Sequence, residues 1–134
     1  MAKESGIAMS IAVDDSGGSA RTISNDITNF DFSTPRNVQV ITGLDKSAEE
    51  RLQLLADFTI TMNGVFQDGS NGAHDVFKTV PSSSVARTVT IVVSGQTLPN
   101  ETLINDYALS RPMSGELTWT APGTLAGGTV PTWA

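Results

Sequence analysis

The chain reads as a mainly β domain: an antiparallel β-sandwich or barrel of about seven or eight strands flanked by one short α-helix. Three observations predict this. Apolar and polar residues alternate with period two in segment after segment, which puts one apolar and one polar face on each strand. Thr and Val are abundant in those segments, as suits pleated, half-buried positions. Turn-forming clusters rich in Gly, Asn, Asp and Ser separate them at the spacing of short strands.

Taken in chain order, the first strand runs from Ile7 to Val13, with Ile7, Met9, Ile11 and Val13 on one face. Asp14 to Ser19 is a loop. Weaker strand patterns cover Ile27 to Phe32 and Val38 to Thr42. Ser47-Ala48-Glu49-Glu50 fits a capping box and predicts a short helix, with Leu52 and Leu55 turned to the core. A strong strand starts near Asp57 and carries Phe58, Ile60 and Met62 on one face, continuing to Phe66. Asp68-Gly69-Ser70-Asn71-Gly72 is a turn. Ala73 to Val80 predicts the packing helix, through Val76, Phe77 and Val80, and Pro81 stops it. Val89, Ile91 and Val93 mark the next strand. Ser94 to Asn100 reads as a connector, and Leu103 to Ser110 as a weak strand. Met113, Leu117 and Trp119 mark the last. From Ala121 the chain loses charge and periodicity, which predicts an extended arm over 121–134, matched by a short N-terminal arm over 1–6. Trp133 in that arm calls for a docking place, on its own core or on a neighbour.

Composition narrows the function. The 134 residues suit one domain with its own core. A net charge of −6 argues against a protein that grips nucleic acid, which needs clustered Lys and Arg. There is no cysteine, hence no disulfide framework and no thiolate chemistry, and a single histidine rules out a zinc site built on several imidazoles. No apolar run approaches the roughly 20 residues of a membrane helix. His74 and Asp75 are adjacent on the expected helix and so do not face each other, and no nucleophile motif such as Gly-x-Ser-x-Gly is present. Asp14-Asp15 and Glu49-Glu50 are sequence neighbours rather than carboxyls across a cleft. The Asp68 turn lacks the ligand spacing of a calcium loop. No catalytic residue, metal site or cofactor is predicted.

The order of the residues carries a resemblance. Ile41-Thr42-Gly43-Leu44-Asp45-Lys46-Ser47-Ala48-Glu49-Glu50-Arg51-Leu52, running into Asp57 to Gly64, resembles the major tail tube proteins of long-tailed, non-contractile bacteriophages. Gly64-Val65-Phe66, His74-Asp75-Val76-Phe77, Tyr107 to Pro112, Met113 to Thr120 and the Gly/Thr-rich segment ending in Trp133 extend the likeness over most of the chain. The resemblance implies a structural virion protein that assembles with itself into hexameric rings, their sheets joined into one inner barrel. The rings stack into a tube around a tape-measure protein, bounded by tail-terminator and tail-tip proteins. It implies DNA only as transient cargo, no membrane partner, and assembly in the host cytoplasm. Other virion β-proteins, such as capsid decoration or tail-terminator-like ring proteins, and carbohydrate-binding sandwiches are the alternatives.

Within that frame, Asp57, Thr59, Thr61, Asp106, Glu116 and Thr118 are the expected lumen residues, because an acidic, hydroxyl-rich surface does not hold phosphates. Lys3, Glu4, Leu44, Asp45, Glu49, Glu50 and Trp133 are the expected contacts between subunits and rings.

Overall fold

The computed structural model describes residues 5–134, so Lys3 and Glu4 lie outside the described residues. Ten strands and one short helix follow in chain order: β1 (Ser10–Asp14), β2 (Ala20–Thr22), β3 (Ile27–Ser33), β4 (Arg36–Val40), β5 (Arg51–Ala56), β6 (Thr59–Val65), α1 (Ala73–Phe77), β7 (Arg87–Val93), β8 (Gln96–Ile104), β9 (Ala108–Ser110) and β10 (Thr118–Leu125). The predicted class holds: mainly β, antiparallel throughout, with one short helix.

Eight strands form one sheet in the order β2-β1-β7-β8-β10-β6-β3, and β9 shares an edge of β10 with β8. The two outer strands of this sheet, β2 and β3, are consecutive in the chain and joined by the turn Ile23–Asp26. A connection that short brings both edges together, so the sheet rolls into an incomplete barrel around one core. Ile11, Val13, Phe58, Ile60, Met62, Val89, Ile91, Leu98, Trp119 and Ala121 fill it, every second residue of their strands.

Different pieces close the two ends of the roll. At the end where β6 finishes and β7 begins, α1 packs Val76 and Phe77 inward. Asp26 Oδ2 accepts the Ala73 N–H at 2.8 Å and so satisfies the first turn of α1 from 47 residues away. Buried Arg87 ties the same helix down: it donates to the Val76 carbonyl at 2.8 Å, to Thr79 Oγ1 at 3.0 Å and to the Asp14 carbonyl at 3.0 Å. At the opposite end Trp133 lies 6.2 Å from Phe32, which stacks on Phe30 and leans on Phe58.

Several segments differ from the sequence expectation. Ile7 sits in a 3-10 turn over Gly6–Ala8, capped by Ser5, and is almost wholly exposed, so β1 starts only at Ser10. The capping-box helix does not form. Instead the Glu50 N–H bonds Thr42 Oγ1 and the Glu50 carbonyl accepts from Ile41, because cross-strand pairing with β4 outcompetes a single helical turn. The connector over 94–100 shrinks to Ser94-Gly95, both with positive φ as a tight two-residue hairpin demands, and β8 starts at Gln96. The weak strand over 103–110 splits at Asn105 to Tyr107 into the end of β8 and β9. Met113 and Glu116 lie in the β9–β10 turn rather than in a strand.

The predicted arm over 121–134 is half strand. Residues 121–125 belong to β10, with Ala121 buried and Gly123 pressed against Thr102, Ile104 and Ile60. The arm proper begins at Ala126, whose N–H bonds the Glu101 carbonyl, and it returns to β8 where Ala134 and Thr97 exchange both backbone bonds at 2.8 Å. Between those anchors it carries four more residues than β8 does. The surplus bulges over Pro99, which has no N–H to offer on that edge.

Candidate functional site

Among the described residues no group of acidic, His or Cys side chains is placed to hold a metal ion. No helix of the described residues is long and apolar enough to cross a membrane. His74 is a packing residue: its ring stands 4.8 Å from Phe66, and Nδ1 lies 3.2 Å from the Tyr107 hydroxyl. Tyr107 itself packs on Phe77 and Trp119, and burial, helped by the Asp26 charge, pushes its hydroxyl above the ordinary tyrosine range. What remains are surfaces, and two of them are unusual.

The first is the polar outer face of β3, β6 and β10. Register puts Asn29, Asp31 and Ser33 of β3 opposite Asn63, Thr61 and Thr59 of β6. On the other side Thr120 and Thr124 of β10 face Asn63 and Thr59, and Thr118 faces Val65. The inward neighbours, Ile60, Met62, Trp119 and Ala121, are all in the core. Hydroxyls and amides bond across the strands: Ser33 Oγ with Thr59 Oγ1 at 2.9 Å, and Thr120 Oγ1 to Asn63 Oδ1 at 2.9 Å. These nine residues include one carboxylate, Asp31, and no cation. Of the expected lumen residues, Thr59, Thr61 and Thr118 share this face. Asp57, Asp106 and Glu116 do not: they stand in loops at strand ends. Asp57 and Asp106 each accept the backbone N–H of the next residue, and the Ser114 hydroxyl beside Glu116 holds its carboxyl below the usual range. The alternation Thr59-x-Thr61-x-Asn63 and Thr118-x-Thr120 marks β6 and β10 in the sequence, whereas Asp31 and Thr124 join the face only through the register.

The second surface is the β4–β5 hairpin. It leaves the roll at the Trp133 end and is exposed along its length apart from Ala56 and Thr42. Val38, Val40, Ile41 and Leu52 are each about half exposed, Leu55 is 87% exposed, and Leu44 at the tip is fully so. The strands are held to each other. Arg36 donates from Nε and Nη2 to the Leu54 carbonyl at 2.9 and 2.8 Å. The charges at the tip are satisfied within it: Lys46 lies 3.9 Å from Asp45 and 3.8 Å from Glu50, and Arg51 pairs with Glu49. Leu44, Asp45, Glu49 and Glu50, the expected contact residues, therefore stand together on one ordered projection.

The remaining expected contact, Trp133, covers Phe32 of its own chain yet stays 44% exposed. The arm beneath it is loosely seated, with a hollow of about 240 Å³ between Gly127–Val130 and the Thr88, Pro99 and Glu101 face of β7 and β8. The opposite end of the roll has its own exposed apolar side chains, Val65 and Met113.

No protein-family model matches the chain, and no curated protein matches it in sequence. Solved structures do match in fold. A chain of the native gene transfer agent virion superposes with a TM-score of 0.79 at 15% identity, over 97% of this chain and 99% of that one. A chain of the tail of an empty gene transfer agent particle, solved by helical refinement with C6 symmetry, gives 0.79 at 15% identity over 98% of each chain. The chain thus has, end to end, a fold similar to that of proteins in a phage-like particle and its tail.

Proposed function

We propose that this protein is a structural component of a phage or phage-like tail, which assembles with itself into stacked hexameric rings that form the tail tube. The observation that carries the reading is the β4–β5 hairpin. A two-stranded hairpin is marginal alone in water, and a soluble chain does not gain by holding this much Val, Ile and Leu in solvent unless a partner covers it. The partner chemistry is that of a second copy, since the charges of the whole hairpin balance, Asp45, Glu49 and Glu50 against Arg36, Lys46 and Arg51, and favour no strongly charged ligand. The two ends of the roll differ, one bearing hairpin and arm, the other Val65 and Met113. Contact between unlike ends is heterologous, and repeated heterologous contacts build rings or filaments rather than closed dimers. The end-to-end fold similarity to a chain of a C6-symmetric tail supports the same reading.

The Thr/Asn/Ser face of β3, β6 and β10 is the candidate lumen. A surface without Lys or Arg makes no ion pairs with passing phosphates, and the hydroxyls of Ser33, Thr59, Thr118 and Thr120 are engaged within the chain. Tape-measure, terminator and tip proteins would be its partners in the particle, and DNA its transient cargo. The test is electron microscopy of the purified chain, concentrated and aged. Six-fold rings and tubes with a central channel are expected; a chain that stays monomeric at high concentration, or forms discrete trimers, overturns the proposal.

A further inference from the structure

We infer that Asn71 is a site of spontaneous deamidation, its side-chain amide lost to attack by the Gly72 backbone nitrogen, and that the product loosens the Asp26 latch on α1. The inference stands apart from the tube reading, because it concerns one turn of the single chain.

The chain holds two Asn-Gly pairs, Asn63-Gly64 and Asn71-Gly72. Glycine has no side chain to shield its nitrogen, so both pairs are open by sequence to ring closure onto the asparagine amide carbon. The fold treats them differently. Asn63-Gly64 lies within β6, with β10 on one side and β3 on the other. Gly64 pairs with Trp119 and with Ile27, and Asn63 Oδ1 accepts the Thr120 hydroxyl at 2.9 Å. Closing a ring there would break both pairings. Asn71-Gly72 stands in the turn between β6 and α1. Asn71 is exposed, and its φ of 61° is a turn conformation that asparagine tolerates. Its backbone N–H donates to Asp75 Oδ2 at 2.8 Å, and among the described residues its side-chain amide makes no hydrogen bond. The Gly72 N–H donates only across the turn, to the Gly69 carbonyl at 3.2 Å. Carbon and nucleophile are both outside the ladder that holds the other pair.

The reaction needs water alone. The Gly72 nitrogen bonds to Asn71 Cγ, its proton and the amide nitrogen leave as ammonia, and a succinimide remains. Water then opens the ring at either carbonyl, and the ammonia takes up the acid proton. One opening leaves aspartate. The other leaves isoaspartate, whose backbone is longer by a methylene. Both add a carboxylate where acids and backbone already crowd. Asp75 faces the Asn71 N–H, and a Cβ on Gly72 would lie 2.7 Å from Asp26 Oδ2 and 3.3 Å from the Gly69 carbonyl oxygen. The longer backbone must displace Gly72, and the new charge repels Asp26 and Asp75. The bond from the Ala73 N–H to Asp26 Oδ2 is the next contact along the chain. With five residues, α1 depends on that bond and its packing to stay formed. The turn thus acts as a chemical clock that opens this end of the roll with age.

The purified chain is held at mildly alkaline pH, folded or in guanidinium chloride, and sampled over days by peptide mapping. In the folded chain Asn71 is expected to deamidate at least about tenfold faster than Asn63, because strand pairing protects the latter, and in denaturant the two rates should converge. Hydrogen exchange at the Ala73 amide is expected to quicken as isoaspartate accumulates. Asn71→Gly keeps the positive φ and removes the amide, so its Ala73 exchange should not change with age. If Asn71 reacts no faster than Asn63 in the folded chain, or keeps its full lead in denaturant, the fold does not select the site and the inference is overturned. Ala73 exchange that ignores the modification, or drifts equally in Asn71→Gly, overturns the coupling to α1. None of these readings depends on whether rings or tubes form.

Discussion

At the residue scale, two positions have opposite consequences for stability. Gly64 in β6 has no room for a side chain: a Cβ there would lie 2.0 Å from the Asp26 carbonyl oxygen and 2.8 Å from the Trp119 ring. Backbone and a buried indole cannot both retreat, so Gly64→Ala is expected to destabilise the fold by about 3 kcal/mol, read as a lower midpoint in urea unfolding. Thr102 is the reverse case. It is fully buried in β8, and its hydroxyl meets no hydrogen-bond partner. Thr102→Val keeps the shape and removes an unpaired polar atom, so it is expected to raise stability by about 1 kcal/mol in the same measurement. Arg87 shows what parity alone can reveal. It continues the inward series of Val89, Ile91 and Val93, which already put a guanidinium inside the roll. Its partners, two carbonyls and a threonine hydroxyl from two other segments, needed the fold. Burial lowers the tendency of this arginine to stay charged, and those three acceptors stand in for the water it loses.

At the element scale, the sequence was legible where one face of a strand meets the core. The cores of β1, β3, β6, β7 and β10 and the helix at Ala73 follow from period and turn chemistry. It misled where a local signal met a non-local partner. Ser47 to Glu50 has the residues of a helix start, but both backbone groups of Glu50 are taken by Ile41 and Thr42 across the hairpin. The Gly/Thr-rich stretch from Ala121 has no alternating pattern, yet Ala121 and Gly123 fit between β8 and β6 because small residues are what that crowded place admits. Truncation must respect this boundary. Removing 121–134 takes half of a central strand and is expected to leave no folded chain. Removing 127–134 takes only the loosely seated arm, and the rest should fold with a lower melting temperature, since Phe32 loses its cover. Replacing 37–55 by a short turn is expected to leave a monomer with the melting temperature of the parent, because the hairpin packs into no core, and to abolish assembly in sedimentation.

At the scale of the whole molecule, charge opposes the proposed assembly while apolar surface drives it. Each copy carries −6, so a ring of identical copies accumulates like charge at close quarters. Exposed charges separated by more than about 10 Å are largely screened at 0.1 M ionic strength, and by about 3 Å at 1 M. The contacts assigned to assembly are different in kind: Val, Ile and Leu on the hairpin, whose burial is insensitive to screening and is strengthened by excluded salts such as sulfate. The critical concentration for tube formation is therefore expected to fall as sodium chloride rises from 0.05 to 0.5 M, and to fall further in sulfate at equal ionic strength. Acid has a second effect. Asp15 and Asp75 are held below the usual carboxylate range, Asp15 chiefly by the Ser19 N–H and Asp75 chiefly by the Asn71 N–H. Carboxylates with lowered values stabilise the fold above their ordinary pKa, and that contribution is lost as pH falls through the lowered one. As pH falls the net negative charge of each copy declines and with it the repulsion between copies, while the Asp15 and Asp75 turns keep their charge and their geometry to a pH below the ordinary carboxylate range. Mild acid should thus promote tubes before stronger acid unfolds the subunit, a sequence that light scattering and circular dichroism resolve along one pH titration. Tubes that dissolve as salt rises would mean that ion pairs between copies, rather than the apolar hairpin, hold the rings together.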